Sequence, residues 1–197
     1  VFTLLEKLKE KNVNLIFDES FIDFAEKEIR YSLIKDEILE KYPNLIVIKS
    51  ISKSYGVPGI RLGVLASSNK DFVYKITRRK SIWNINSYGE NFLQIFDKYK
   101  KYYTIACNKI AEERNRFVKL LKNISWLKVY PSQANYVLCK ITGKISSEKL
   151  AIKLLDEYNI FIKDLSSKKG FENGQYIRLA VRNTEDNDKL IAALKEI

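Results

Sequence analysis

The sequence predicts an α/β protein: a mostly parallel sheet with helices, followed by a small α+β domain. Two observations carry this prediction. In the first half, short apolar runs of the kind buried in parallel sheets alternate with helical stretches. In the second half, strand-like segments are interleaved with two helices that carry their own capping residues. Strands separated by helices imply parallel pairing with right-handed crossovers.

The elements follow in order. Phe2–Lys11 places Leu4, Leu5 and Leu8 near helical spacing. Val13–Phe17 is an apolar run ending at Asp18 and reads as a buried strand. Asp23–Tyr42 is polar and mixed, a loop plus one helix stopped by Pro43. Leu45–Ile48 is a second buried strand, Ser50–Gly59 a loop, and Leu62–Ala66 a third strand. Ser68 or Asn69 can cap a helix running to about Arg79. A long helical stretch spans Ser87 to Asn123, with a break expected near Asp97–Tyr99. Trp126–Tyr130 and Asn135–Ile141 read as strands on either side of a turn at Pro131 and Ser132. Ser146–Tyr158 is an amphipathic helix capped by Ser146. Ile160–Lys163 and Tyr176–Val181 are strands, and Thr184–Ile197 is a final helix capped by Thr184. The long helix marks the expected domain boundary, giving residues 1–98 and 99–197.

Composition narrows the function. The chain has 197 residues, 46% hydrophobic and 30% charged, enough apolar material for a core, which excludes wholesale disorder. No apolar run approaches the ~20 residues that span a bilayer, and no signal peptide is visible, so no membrane partner is expected. The two cysteines, Cys107 and Cys139, are too few and too far apart for a disulfide framework. They read as small buried hydrophobes, and a reducing, cytoplasmic setting is expected. With no histidine, Ser-His-Asp and Cys-His catalysis and histidine-ligated metals are excluded, and no metal is expected. Methionine is absent and residue 1 is valine, so the chain is expected to be part of a longer protein. The net charge of +11 comes mostly from lysines scattered over helical faces, so no nucleic-acid partner is expected. Attraction to phosphorylated small molecules is a second reading of the same charge. The cluster Tyr99, Tyr102 and Tyr103 reads as helix packing.

The segment from Ser50 to Gly63 carries the most chemistry. It sets Lys53 just past the C-terminal end of a buried strand, where α/β sheets hold their ligands. Ser50 and Ser52 precede the lysine, and a loop with Gly56, Pro58 and Gly59 then brings in Arg61. Taken alone, Lys53 is a solvated surface lysine, Asp18 a helix cap, Arg61 a surface ion pair and Arg178 an exposed strand residue. The ordered set changes that balance.

These residues resemble the lysine loop of fold-type I pyridoxal-phosphate (PLP) enzymes of class I/II. The likeness is to histidinol-phosphate aminotransferases and threonine-phosphate decarboxylases. Asp18-Glu19-Ser20-Phe21 resembles the family's Asp-Glu-Ala-Tyr/Phe segment, and Trp83–Asn86 its Trp/Tyr-x-x-Asn turn. Pro131–Tyr136 resembles the entry to its small domain, and Tyr176–Arg182 the strand with its substrate-carboxylate arginine. The resemblance covers the C-terminal part of such an enzyme, implying the end of a PLP-transferase large domain and then the small domain. The family's phosphate-cradling glycine loop and ring-stacking aromatic have no counterpart in these residues.

The resemblance implies roles residue by residue. Lys53 is the Schiff-base lysine and proton carrier. Asp18 pairs with the pyridine nitrogen, which lets the ring absorb electrons from a broken bond at the substrate Cα. Ser50, Ser52 and Arg61 hold the cofactor phosphate. Phe21 lies against the cofactor, where many such enzymes carry a tyrosine on its 3-hydroxyl, and a phenyl ring cannot make that bond. Asn86 and Arg178 bind substrate, Arg178 through its carboxylate. Arg182 is structural or meets a second acidic group. The implied activity is transamination between small amino and keto acids, the substrate either plain or carrying a phosphate or phosphonate. The alternatives are decarboxylation of a phosphorylated amino acid on the same scaffold, and a non-catalytic fragment or basic binding module. A homodimer is implied by the resemblance alone.

Overall fold

Helix α1 (Phe2–Glu10) forms where the leucine spacing predicts it, in the computed structural model of the chain, which describes residues 1–197. Leu5 is fully buried and Leu4 faces solvent. Strand β1 (Leu15–Asp18) follows, then a single 3-10 turn at Ile22–Phe24 and helix α2 (Asp36–Lys41) ahead of Pro43. Strand β2 (Leu45–Ser50) leads into two features expected as plain loop. These are the short helix α3 (Ile51–Ser54) and a 3-10 turn at Pro58–Ile60. Strand β3 (Gly63–Ala66) and helix α4 (Lys70–Arg79) come next. The cap of α4 is Asn69, whose side chain accepts the Phe72 N–H.

The first sheet has the order β1-β2-β3. Strands β1 and β2 pair in parallel, with Leu15 opposite Leu45 and Asp18 opposite Ile48. The expectation of parallel pairing fails for β2 and β3, which run antiparallel. The reason is the connection: Ile51–Leu62 coils into two tight turns and supplies no crossover helix, without which a strand cannot return parallel. One face of this sheet is a core, with Leu15, Phe17, Leu45, Val47 and Ala66 packed among Leu5, Leu33, Ile38, Leu39 and Tyr42.

Helix α5 (Ser87–Leu121) is continuous, and the break expected near Asp97–Tyr99 is absent. No proline lies between Pro58 and Pro131, and Gly89 is the helix's lone glycine, so nothing at that place interrupts the hydrogen-bond ladder. Of the three tyrosines expected to pack, Tyr103 does, stacking on Tyr55 with ring centroids 3.9 Å apart. Tyr99 and Tyr102 are exposed. The chain divides into two compact units, Val1–Asp23 with Lys27–Ile105, and Phe24–Glu26 with Ala106–Ile197.

The second unit contains β4 (Leu127–Val129), β5 (Tyr136–Ile141), α6 (Ser147–Tyr158), β6 (Lys163–Asp164), β7 (Gln175–Ala180) and α7 (Thr184–Glu196). Its antiparallel sheet has the order β4-β5-β7-β6. Val137, Cys139, Ile177 and Leu179 alternate inward onto a core with Phe117, Leu150, Leu154 and Leu194. Ser146 caps α6 as expected, accepting the Lys149 N–H. The cap of α7 is Asn183 rather than Thr184: its side chain accepts the Asp186 N–H, while the Thr184 hydroxyl donates to Glu113. Both cysteines are buried, and burial pushes the Cys139 thiol up to about 12, which leaves it inert.

Arg114 is fully buried in this unit and donates from Nη1 to the Phe24 and Ala134 carbonyls and from Nη2 to Gln133 Oε1. Those bonds hold the Phe24–Glu26 segment. No helix is long and apolar enough to cross a membrane.

Two substitutions check this packing by denaturant unfolding. Leu179→Ala, in the middle of the second sheet, is expected to cost about 2–5 kcal/mol. Asn183→Ala is expected to cost about 1 kcal/mol through loss of the α7 cap.

Candidate active site

In a parallel pair, the C-terminal strand ends open onto loops that can converge on a ligand. Asp18 ends β1 and Ser50 ends β2. Because Asp18 lies opposite Ile48, and residues 48 and 50 share one face of β2, both side chains project away from the core face. Ser50 is extended and serves as the N-cap residue of α3, with its hydroxyl not bonded to the helix. Helix α3 then carries the lysine.

Lys53 is exposed on this turn, with Nζ over the Phe21 ring at 4.5 Å from its centroid. The amine is also near enough to act on Asp18. Hydrogen bonds from the Ser20 hydroxyl and then the Ser20 amide hold the Asp18 carboxyl below its ordinary value; burial opposes them, and the Lys53 charge adds to the lowering. The structure thus brings Asp18, Phe21, Ser50 and Lys53 together in the first unit. An amine and an ionised acid share one site, the donor set that an aldehyde-bearing pyridinium cofactor requires at its two ends.

The remaining predicted residues are placed as follows. Ser52 is buried, with its hydroxyl on the Leu62 carbonyl at 3.5 Å. Arg61 is exposed in the left-handed conformation (φ 54°), and its Nη1 donates to the Pro58 carbonyl at 3.2 Å. Asn86 cross-links its surroundings, donating to the Ile60 carbonyl at 3.0 Å and accepting the Gly89 N–H at 2.9 Å at the start of α5. Arg178, in the second unit, sits on the outward face of β7 with its guanidinium over the Tyr136 ring at 5.1 Å. Arg182, in the link ahead of α7, pairs with Asp186 in the first turn of that helix at 2.7 Å.

Three contributors escaped the sequence reading. Ser20 is buried, donates its N–H to Asp18 Oδ1 at 2.8 Å and accepts the Ser50 N–H at 2.9 Å. Glu19 is buried and accepts from the Ser32 hydroxyl at 2.7 Å and the Leu33 N–H at 2.6 Å. Lys49 donates to Asp23 at 2.8 Å, closing the loop after β1. The available signal was the run of three polar residues, Asp18, Glu19 and Ser20, directly behind an apolar strand.

The family pattern described as aminotransferase class I and II matches residues 1–194. The chain is 37% identical over 187 residues to an L-serine phosphate decarboxylase of Sulfurospirillum multivorans, covering 93% of this chain and 47% of that protein. It is 35% identical over 198 residues to histidinol-phosphate aminotransferase 2 of Archaeoglobus fulgidus, covering 98% of this chain and 53% of that protein. The crystal structure of a histidinol-phosphate aminotransferase from Clostridium acetobutylicum superimposes with a TM-score of 0.87 at 30% identity, over 99% of this chain and 57% of that one. The chain spans about half the length of the curated relatives it matches.

The lowered Asp18 carboxyl has a pH consequence. Its folded value lies below the unfolded one, so its contribution to stability is present above the ordinary carboxylate range and is lost as pH falls through the folded value. Denaturant unfolding at several pH values should show the stability difference between wild type and Asp18→Asn shrinking below pH about 4. A difference that stays constant with pH contradicts this account.

Proposed function

The chain belongs to the class I and II aminotransferases, a pyridoxal-phosphate-dependent family, and from that premise we propose that its protein is an enzyme acting at the Cα of a small phosphorylated amino acid. The observation that carries this reading is the Lys53 amine set beside the ionised Asp18 at the ends of a parallel strand pair. We assign residues 1–98 to the end of the cofactor-binding domain and 99–197 to the long helix plus the small domain, a boundary inside α5 and ahead of the division of the compact units after Ile105.

In this reading Lys53 holds the cofactor aldehyde, Asp18 holds the ring nitrogen, and Phe21 lies against the ring. Ser50, Ser52 and Arg61 hold the phosphate. Ser50 has its hydroxyl free of the α3 backbone, which suits it to that task. Arg61 must turn from the Pro58 carbonyl to reach an anion. When bound, the cofactor supplies an electron sink for the pair left by a broken Cα bond. The chain's residues do the rest. Asp18 stays ionised and favours a proton on its partner nitrogen. In transamination the Lys53 amine would remove the proton from Cα and deliver it to the cofactor carbon that bears the aldehyde. Arg178 binds the substrate carboxylate, its guanidinium already oriented by the Tyr136 ring. Asn86 contributes at the substrate side.

Transamination is the first reading, supported by the order of Asp18, Ser50, Ser52, Lys53, Arg61 and Arg178 along the chain. Decarboxylation is the second. It is supported by the 37% identity to an L-serine phosphate decarboxylase and by Phe21, which cannot hydrogen-bond the cofactor as tyrosine does. A homodimer in the cytoplasm is part of the proposal.

Two measurements on the full-length protein test it. Pyridoxal phosphate is expected to give a visible absorption band that Lys53→Ala abolishes; a band that survives in the variant overturns the assignment. Assays of keto-acid formation and carbon dioxide release over a panel of phosphorylated amino acids separate the two reactions. In whichever is active, Arg178→Ala is expected to lower kcat/KM about 10- to 100-fold, the loss of one charge-assisted contact.

A further inference from the structure

The acid and the lysine of the candidate site stand on different elements, Asp18 on β1 and Lys53 on α3, yet one buried residue is hydrogen-bonded to both segments. We propose that Ser20 is a positioning residue that ties the Asp18 carboxylate, through its N–H, to the start of the lysine turn, through its hydroxyl.

Ser20 is 4% exposed, so its polar atoms must be satisfied by protein. Its oxygen accepts the Ser50 N–H at 2.9 Å, and Ser50 is the residue from which α3 begins. Its own N–H donates to Asp18 Oδ1 at 2.8 Å. Ser20 is the largest influence holding the Asp18 carboxyl low, and the charged group facing the same carboxyl is Lys53. An alanine methyl at this position could not accept the Ser50 N–H.

Two consequences follow. The Ser50 N–H is fixed relative to the end of β1, so the turn bearing Lys53 cannot shift independently of Asp18. The Asp18 carboxylate is also kept ionised and acceptor-only, the state in which a partner ring nitrogen retains its proton. The second consequence rests on the assignment of Asp18 and Lys53 proposed above; the hydrogen-bonded tie does not.

The test uses the full-length protein purified without cofactor. Carbon-13 NMR follows the Asp18 carboxyl through a pH titration, and amide hydrogen exchange follows Ser50. In Ser20→Ala the Asp18 titration is expected to move up toward the ordinary carboxylate range, and the Ser50 amide to lose protection. Ser20→Thr, which keeps the hydroxyl, is expected to restore both. Ser20→Cys preserves the volume with a weak donor, behaves like alanine, and replaces it if the alanine variant does not fold. An Asp18 titration or a Ser50 exchange rate that stays at the wild-type value in a folded alanine or cysteine variant overturns the proposal. Neither readout involves pyridoxal phosphate, so its failure is distinct from the failure of the cofactor assignment, which shows as loss of the Lys53-dependent absorption band in the wild-type protein.

Discussion

The parallel register of β1 against β2 is the constraint on which the candidate site depends. It sets Asp18 opposite Ile48 and brings the two strand ends level, so that the loops leaving them start side by side. A slip of one residue would turn Asp18 onto the core face among Phe17 and Val47, where an ionised carboxylate has no partner. The register is held by that core. Leu15 and Phe17 can meet Leu45 and Val47 on a buried face only if Asp18 points the other way.

From this register the rest is built by short-range polar contacts. Buried polar groups are tolerated when paired, and Glu19 and Ser20, directly behind Asp18, both are. Glu19 turns inward and is satisfied by Ser32 and Leu33, which fixes the return of the loop. Ser20 turns toward Ser50. Farther along the same loop Lys49 meets Asp23, and the Phe24–Glu26 segment is held by the buried Arg114. The stretch after β1 is therefore an anchored segment, although its composition is that of a mobile one.

The second unit offers a sheet with one buried apolar face and one face of mixed character. Its inward residues alternate strictly along β5 and β7, which leaves Tyr136 and Arg178 on the outward face with the guanidinium against the ring. An arginine already oriented by an aromatic ring loses less side-chain freedom on meeting a carboxylate than a free one does. The network of Glu113 with Arg116, Thr184 and Asn187 holds α5 to α7 behind that sheet.

Sequence periodicity was enough to locate most of the helices and strands, though not α3 or the bounds of β6, because the spacing of Leu4, Leu5 and Leu8, the apolar run at Leu45–Ile48 and the capping side chains at Ser68 or Asn69 and at Ser146 are local signals. The same holds for Lys53 after a buried strand and for Asp18 at the end of another. The antiparallel return of β3, the unbroken course of α5 and the capping of α7 by Asn183 were decided elsewhere. Strand direction depends on how a connection coils, and the competition between Asn183 and Thr184 is settled by Glu113, distant in sequence, which takes the threonine hydroxyl. Ser20 and Glu19 make the same point within the site. Their residue types are visible in the sequence, but their partners, Ser50 and Ser32 with Leu33, become neighbours only when the sheet and its loops have closed, since hydrogen bonding acts over distances in space that chain spacing does not encode.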